Sequence, residues 1–200
     1  FPDDTLIFFS GSDLQELWES YSDRPTSDTD APGPFAPKNL REAVQELTGI
    51  DLDQDLMAWM QGPFALGLLP SETGGTAPSA GLVFMVDASD RPSAEKTFSQ
   101  LDEVLSSRYR FQVSESTIGD QAVVNWESPF AALTLSRGWL GESTTFLTFN
   151  NVSTRFLPAP ATALGNGTLF QQATVSQLER PQGYFFINVD GFIATRNKLP

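Results

Sequence analysis

Cysteine and histidine are both absent from the 200 residues. Without cysteine there are no disulfides, no thiolate zinc sites and no cysteine nucleophile. Without histidine there is no Ser-His-Asp triad, no imidazole base working near neutral pH and no HExxH zinc helix. Charged residues make up only 18% and lysine occurs three times, so Ser, Thr, Gln and Asn supply much of the polar surface. No run approaches the roughly 20 apolar residues that span a bilayer, and direct membrane insertion of this segment is not expected. The enzyme chemistries that survive these absences are those built from carboxylates or from Ser-Lys pairs.

What is present is core material and negative charge. Hydrophobic residues reach 40% and aromatics 12%, with 16 Phe. A chain of this length and composition can bury a core without covalent staples. The net charge of −13 is uneven: residues 1–60 hold 13 acidic and 3 basic residues, residues 61–200 hold 12 and 9. Nucleic acid is a poor partner for such a chain, because affinity for it comes from Lys and Arg displacing counterions. Anionic membrane surfaces are disfavoured for the same reason. A protein partner with a basic surface, or a divalent cation, suits the acidic third, whose other use is solubility. The chain opens at Phe1 with no Met and no leader, which reads as a mature or excised segment.

Hydrophobic periodicity divides the chain into elements. Asp4–Ser10 reads as a buried strand, and Ser12 or Asp13 caps a helix with Leu14, Leu17, Trp18 and Tyr21 on one face. Residues 22–37 form a mobile loop rich in acid and proline, with Pro25, Pro32, Pro34 and Pro37. A second helix spans Lys38–Thr48 and is closed by Gly49 as a C′ glycine. Ile50–Met60 starts a third, short helix with acids in its first turn, ended by Gly62-Pro63. Strands follow at Phe64–Leu69 and Ala80–Ala88 around a Gly74-Gly75 turn, then a helix over Pro92–Ser107 opened by Asp90. Four more strands are predicted at Arg110–Thr117, Gln121–Glu127, Ala131–Ser136 and Trp139–Phe149, with turns at Gly119-Asp120, Pro129 and Arg137-Gly138. A Pro-, Ala- and Gly-rich connection over 150–167, a helix over Thr168–Leu178 and a strand over Gly183–Val189 complete the chain. This order implies an α+β domain, a mainly antiparallel sheet with helices packed on one face.

One internal echo stands out. PDDTLIFFS (2–10) and PQGYFFINV (181–189) each place an apolar strand a few residues after a proline, and each leads into a turn and a helix start. The division this suggests is a single α+β module over 1–180, with 181–200 the start of a second module in a repeated unit.

The segments PDDTLIFFSGSDLQELW and TGIDLDQDLMAWMQGPFALGLLP are similar to the start of a cyanobacterial family known as domain of unknown function 3352. The run GLVFMVDASDRPSAEKTFSQLDEVL looks like that family's recurring strand-then-helix element, and GWLGESTTFLTF agrees more weakly. The resemblance covers most of residues 1–110. It implies an extracytoplasmic protein (periplasm or thylakoid lumen), longer than this chain and often behind a membrane anchor. It implies no activity, no cofactor and no catalytic residues.

Each candidate site has a plainer competing role. Asp51, Asp53 and Asp55 have the spacing that opens a calcium loop, but Leu56 and Gly62 stand where an EF-hand needs Gly and Glu. Acids at a helix start more commonly cap it. Asp23, Asp28 and Asp30 lie in the 22–37 loop, where flexible oxygen ligands can wrap calcium or meet a partner protein. Asp87 and Glu127 form a conceivable glycosidase pair. Ser93 and Lys96 imitate the S-x-x-K spacing of serine acyltransferases without its companion motifs. Trp18, Trp59, Trp126, Trp139, Phe8, Phe9 and Phe146 could line a groove, although aromatics at such spacing are usually core. Asn151 and Asn166 head N-glycosylation sequons.

Two functions follow as expectations. The first is a non-catalytic extracytoplasmic binding or assembly module, contacting a protein through the acidic third and Asp23, Asp28 and Asp30. The alternative is a carboxylate-dependent hydrolase acting on cell-envelope material. No catalytic residue, metal or cofactor is assigned.

Overall fold

The computed structural model describes residues 1–21, 40–70, 80–130, 133–174 and 183–196. Apolar side chains alternating with a period of two line up as strands, because successive side chains point to opposite faces. The strands are β1 (Ile7–Gly11), β2 (Phe64–Pro70), β3 (Ala80–Asp87), β4 (Gln112–Ile118), β5 (Gln121–Glu127), β6 (Thr134–Leu140), β7 (Thr144–Phe149) and β8 (Gly183–Ile187). They form one sheet in the order β4-β5-β6-β7-β3-β2-β1-β8. Every pairing is antiparallel. The helices are α1 (Leu14–Tyr21), α2 (Leu40–Thr48), α3 (Arg91–Ser107), α4 (Thr168–Thr174) and α5 (Val189–Arg196), with a π-helical turn at Leu52–Met57. The α+β class expected from the sequence is the one observed. Among the described residues no helix is long and apolar enough to cross a membrane.

Two clusters of buried side chains lie on opposite faces of the sheet. On one, Phe64 and Val86 pack with Trp59 of the π-turn segment and with Ala94 and Phe98 of α3, joined by Phe9, Leu14 and Trp139. On the other, Leu69, Val83, Val123 and Phe146 are closed over by Val152, Phe156 and Leu157. The 150–167 connection therefore supplies the second face of the core, where its composition predicts only a link. Phe170 of α4 continues this cover, packing edge-on against Phe8 of β1 and Phe186 of β8.

Local chemistry sets several boundaries. Gly49 adopts φ +71°, and its N–H donates to the Gln45 carbonyl at 2.8 Å, ending α2. Asp90 caps α3, its carboxylate accepting from the Ser93 hydroxyl at 2.6 Å, with Pro92 in the first turn. Arg110 sits at φ +59°, so β4 begins at Gln112 and not at Arg110 as predicted.

The predicted turn at Arg137-Gly138 is a correction. Both residues lie inside β6, and the chain reverses at Gly141 (φ +68°) with Glu142 and Ser143. The predicted strands Ala131–Ser136 and Trp139–Phe149 become β6 and β7, with residues 131–132 outside the described ones. Gly138 is needed for closeness: a Cβ there would fall 2.6 Å from the Phe146 ring and 2.8 Å from the Ala122 carbonyl oxygen. At the end of the chain, β8 stops at Ile187, and Val189, predicted as strand, opens α5. The strand that the internal echo sets apart is bonded to β1 in the same sheet.

Candidate interaction surface

The two ends of the sheet differ in chemistry. An end strand leaves alternate backbone N–H and C=O groups without a ladder partner, and proteins usually blunt such edges with charge, proline or a bulge. β4, at one end, reads QVSESTI and turns polar side chains to solvent. β8, at the other, reads GYFFI and carries no charge and no proline. Phe186 is buried against Phe170, and Tyr184 tilts against the same ring. Their neighbours point the other way: Phe185 is 66% exposed and Ile187 45%. An alternating strand normally places polar residues on its open face. Here both faces are apolar.

α5 follows β8 directly and carries further exposed apolar side chains. Asn188 is buried between strand and helix: its N–H donates to the Leu6 carbonyl at 2.8 Å, and its Oδ1 accepts from the Gly191 N–H at 2.8 Å. Gly191 permits the close approach, because a Cβ there would lie 2.9 Å from Asn188 Cγ and 3.0 Å from Leu6 Cδ2. The helix is thereby fastened beside the start of β1. Its Val189 (62%), Phe192 (36%) and Ile193 (51%) remain exposed. Among the described residues, five of the nine exposed large apolar side chains fall between 185 and 193. Scattered exposed apolar residues are ordinary, whereas a contiguous group marks a contact surface.

The calcium and partner candidates Asp23, Asp28 and Asp30 lie outside the described residues, as does the 22–37 loop. Asp51, Asp53 and Asp55 do not converge. Asp51 caps the π-helical turn by accepting from the N–H groups of Asp53 and Gln54, and Asp55 accepts from the Asp51 N–H. Asp53 takes the Arg41 guanidinium through two nitrogens (3.0 and 3.2 Å) and the Trp18 indole N–H (2.9 Å). Among the described residues no group of three or more acids could hold a metal ion.

Asp87 and Glu127 are also kept apart. Three strand spacings separate β3 from β5, about 14 Å, and the pairings place the two acids at opposite ends along the strand direction. Asp87 accepts from the Thr144 hydroxyl. Ser93 serves in the Asp90 cap, and Lys96 is exposed. The Asn151 sequon ends in Ser153, whose hydroxyl is buried beside that of Thr148 at 3.1 Å. Trp59 and Trp126 are core residues.

Sequence reading missed a second polar arrangement, between α3 and β5–β6. Buried Arg137 donates to Asp102 at 2.7 Å and lies over the rings of Phe98 and Trp126, at 4.9 and 5.7 Å. The Trp126 N–H donates to the other Asp102 oxygen at 2.7 Å. Glu95 accepts from the Trp139 N–H at 2.6 Å and stands 3.9 Å from Arg137. Arg91 covers the Trp139 ring at 4.3 Å. Each acid here is engaged by donors of the fold itself, so the arrangement fastens α3 to the sheet. A conspicuous Arg-Gly pair inside the 131–149 region was the one available signal, and turn chemistry claimed it.

Among known proteins, the profile of the family described as "Protein of unknown function (DUF3352)" matches residues 1–200. No curated protein matches, and no solved structure does.

Proposed function

The chain belongs to the DUF3352 family of unknown function, and we propose that it is a non-catalytic module that assembles with protein through β8 and α5. The observation carrying this reading is the uncharged end strand with Phe185 and Ile187 exposed, continued by Val189, Phe192 and Ile193. Burying a Phe or Ile side chain contributes roughly 1.5–3 kcal/mol, and unpaired strand groups add hydrogen bonds when an incoming strand aligns. The net charge of −13 favours a partner with a basic surface. Asp23, Asp28 and Asp30 belong to that long-range attraction. The extracytoplasmic setting, a periplasm or thylakoid lumen, rests on the resemblance of residues 1–110.

The reading is tested by site-specific photo-crosslinking in the native extract. A crosslinker at position 187 is expected to yield a discrete protein adduct, and one at 115 on β4 none. Equal labelling from both positions would remove the reason for assigning β8 this role.

A further inference from the structure

The outer side of β8 has a definite hydrogen-bonding pattern. Asn188 donates its N–H to the Leu6 carbonyl, toward β1. Backbone groups alternate sides along a strand, so those of Tyr184 and Phe186 also face β1. Those of Phe185 and Ile187 face the other way, and among the described residues no strand lies there. The same two residues carry exposed side chains. Two donors, two acceptors and two apolar side chains therefore lie together along one edge.

Charge frames this edge. Residues 1–21 and 183–196, which hold β1, β8 and the helices that follow them, contain six acids (Asp3, Asp4, Asp13, Glu16, Glu19 and Asp190) and one base, Arg196. Asp4 is taken by Arg155. Gly183 lies opposite Gly11, and Asp13 and Glu16, both exposed, follow Gly11 at that end. Asp190, also exposed, comes after Ile187 at the other end. β8 between them carries no charge. An apolar strip with acids beyond both ends is complementary to an apolar strand with bases at both ends.

Building on the assembly reading, we propose that β8 binds an extended segment of a different protein, apolar at alternate positions and basic at both ends, which adds to the eight-stranded sheet. Its backbone pairs with Phe185 and Ile187, and its alternate side chains cover theirs. Its basic ends meet Asp13 and Glu16 on one side and Asp190 on the other. A second copy of this chain fits less well. Two β8 strands paired antiparallel about a two-fold axis would set the Asp13 end of each against the Asp190 end of the other, like charge on like.

The test uses three fluorescent peptides that share an alternating Thr-Val core and end on both sides in Lys, Gln or Glu. Affinity is read by anisotropy, and protection by hydrogen exchange over 183–187. The Lys-ended peptide is expected to bind about tenfold tighter than the Gln-ended one, with the Glu-ended one weakest, and to slow exchange at Phe185 and Ile187. Methylating alternate peptide nitrogens should abolish binding, because strand addition needs their N–H groups. The double variant Asp13→Asn, Asp190→Asn is expected to lose the preference for Lys ends; asparagine keeps the cap that Asp13 forms on the Glu16 N–H. Glu103→Gln with Glu115→Gln, an equal change in net charge at exposed positions on α3 and β4, should leave the preference intact. Equal affinity for the three peptides, or a preference lost equally in both double variants, overturns the basic-ended occupant. Binding without protection of Phe185 and Ile187, or no binding by any peptide, overturns strand addition at β8. Protection that rises with protein concentration alone identifies a second copy and overturns the different protein. The assembly reading is decided separately, by the adduct from position 187 in native extract, and stands through each of these failures when that adduct forms.

Discussion

The same three residue types meet twice, and burial separates what they do. Asp53 joins Arg41 and Trp18 near the surface, and Asp102 joins Arg137 and Trp126 under α3. In both, one carboxylate receives a guanidinium and an indole N–H while the arginine lies 5.7 Å over the tryptophan ring. An exposed ion pair contributes about 0–1 kcal/mol, whereas removing one partner of a buried pair costs about 3–5 kcal/mol. Arg137→Ala is therefore expected to lower unfolding stability by about 3 kcal/mol, and Arg41→Ala by less than about 1 kcal/mol, both read from urea denaturation. Equal losses would show that burial does not govern the pair. Gly138→Ala adds a methyl group against Phe146 and should cost about 1–3 kcal/mol by overpacking. A turn glycine freed from that ring would tolerate the change, so the same measurement distinguishes the strand interior from the predicted turn.

At the scale of elements, local chemistry was legible and long-range packing was not. The caps at Asp51 and Asp90, the closing glycine at Gly49 and the break at Gly62-Pro63 act within a few residues, so the sequence displays them. Asp51→Ala should cost about 1 kcal/mol, because two N–H groups at the start of the π-helical turn lose their acceptor. Thermal melting or urea denaturation will show it. Arg137-Gly138 misled because its meaning lies on the facing strand: Gly138 is opposite Phe146, and Arg137 reaches Asp102 on α3. The 150–167 connection misled for the same reason. Its prolines and glycines mark irregular backbone, but Val152, Phe156 and Leu157 close one face of the sheet. Neither contact has a periodicity of its own.

For the molecule as a whole, the antiparallel sheet and α+β class followed from the order of patterned segments, while the strand order did not. Nothing in a five-residue apolar run says that β8 lies beside β1, or that Phe185 and Ile187 are exposed. The candidate surface was not legible in the sequence: the echo between the two strands points to a repeated module, and the exposure of Phe185 and Ile187 depends on the fold. The acids singled out by spacing went elsewhere, to caps and ion pairs. The most direct measurement compares capture of a native partner by the wild type and by the double variant Phe185→Thr, Ile187→Thr. Threonine keeps strand propensity and removes the apolar contact. The account predicts capture about tenfold weaker or more, with an unchanged melting temperature. Undiminished capture by a folded double variant would contradict it.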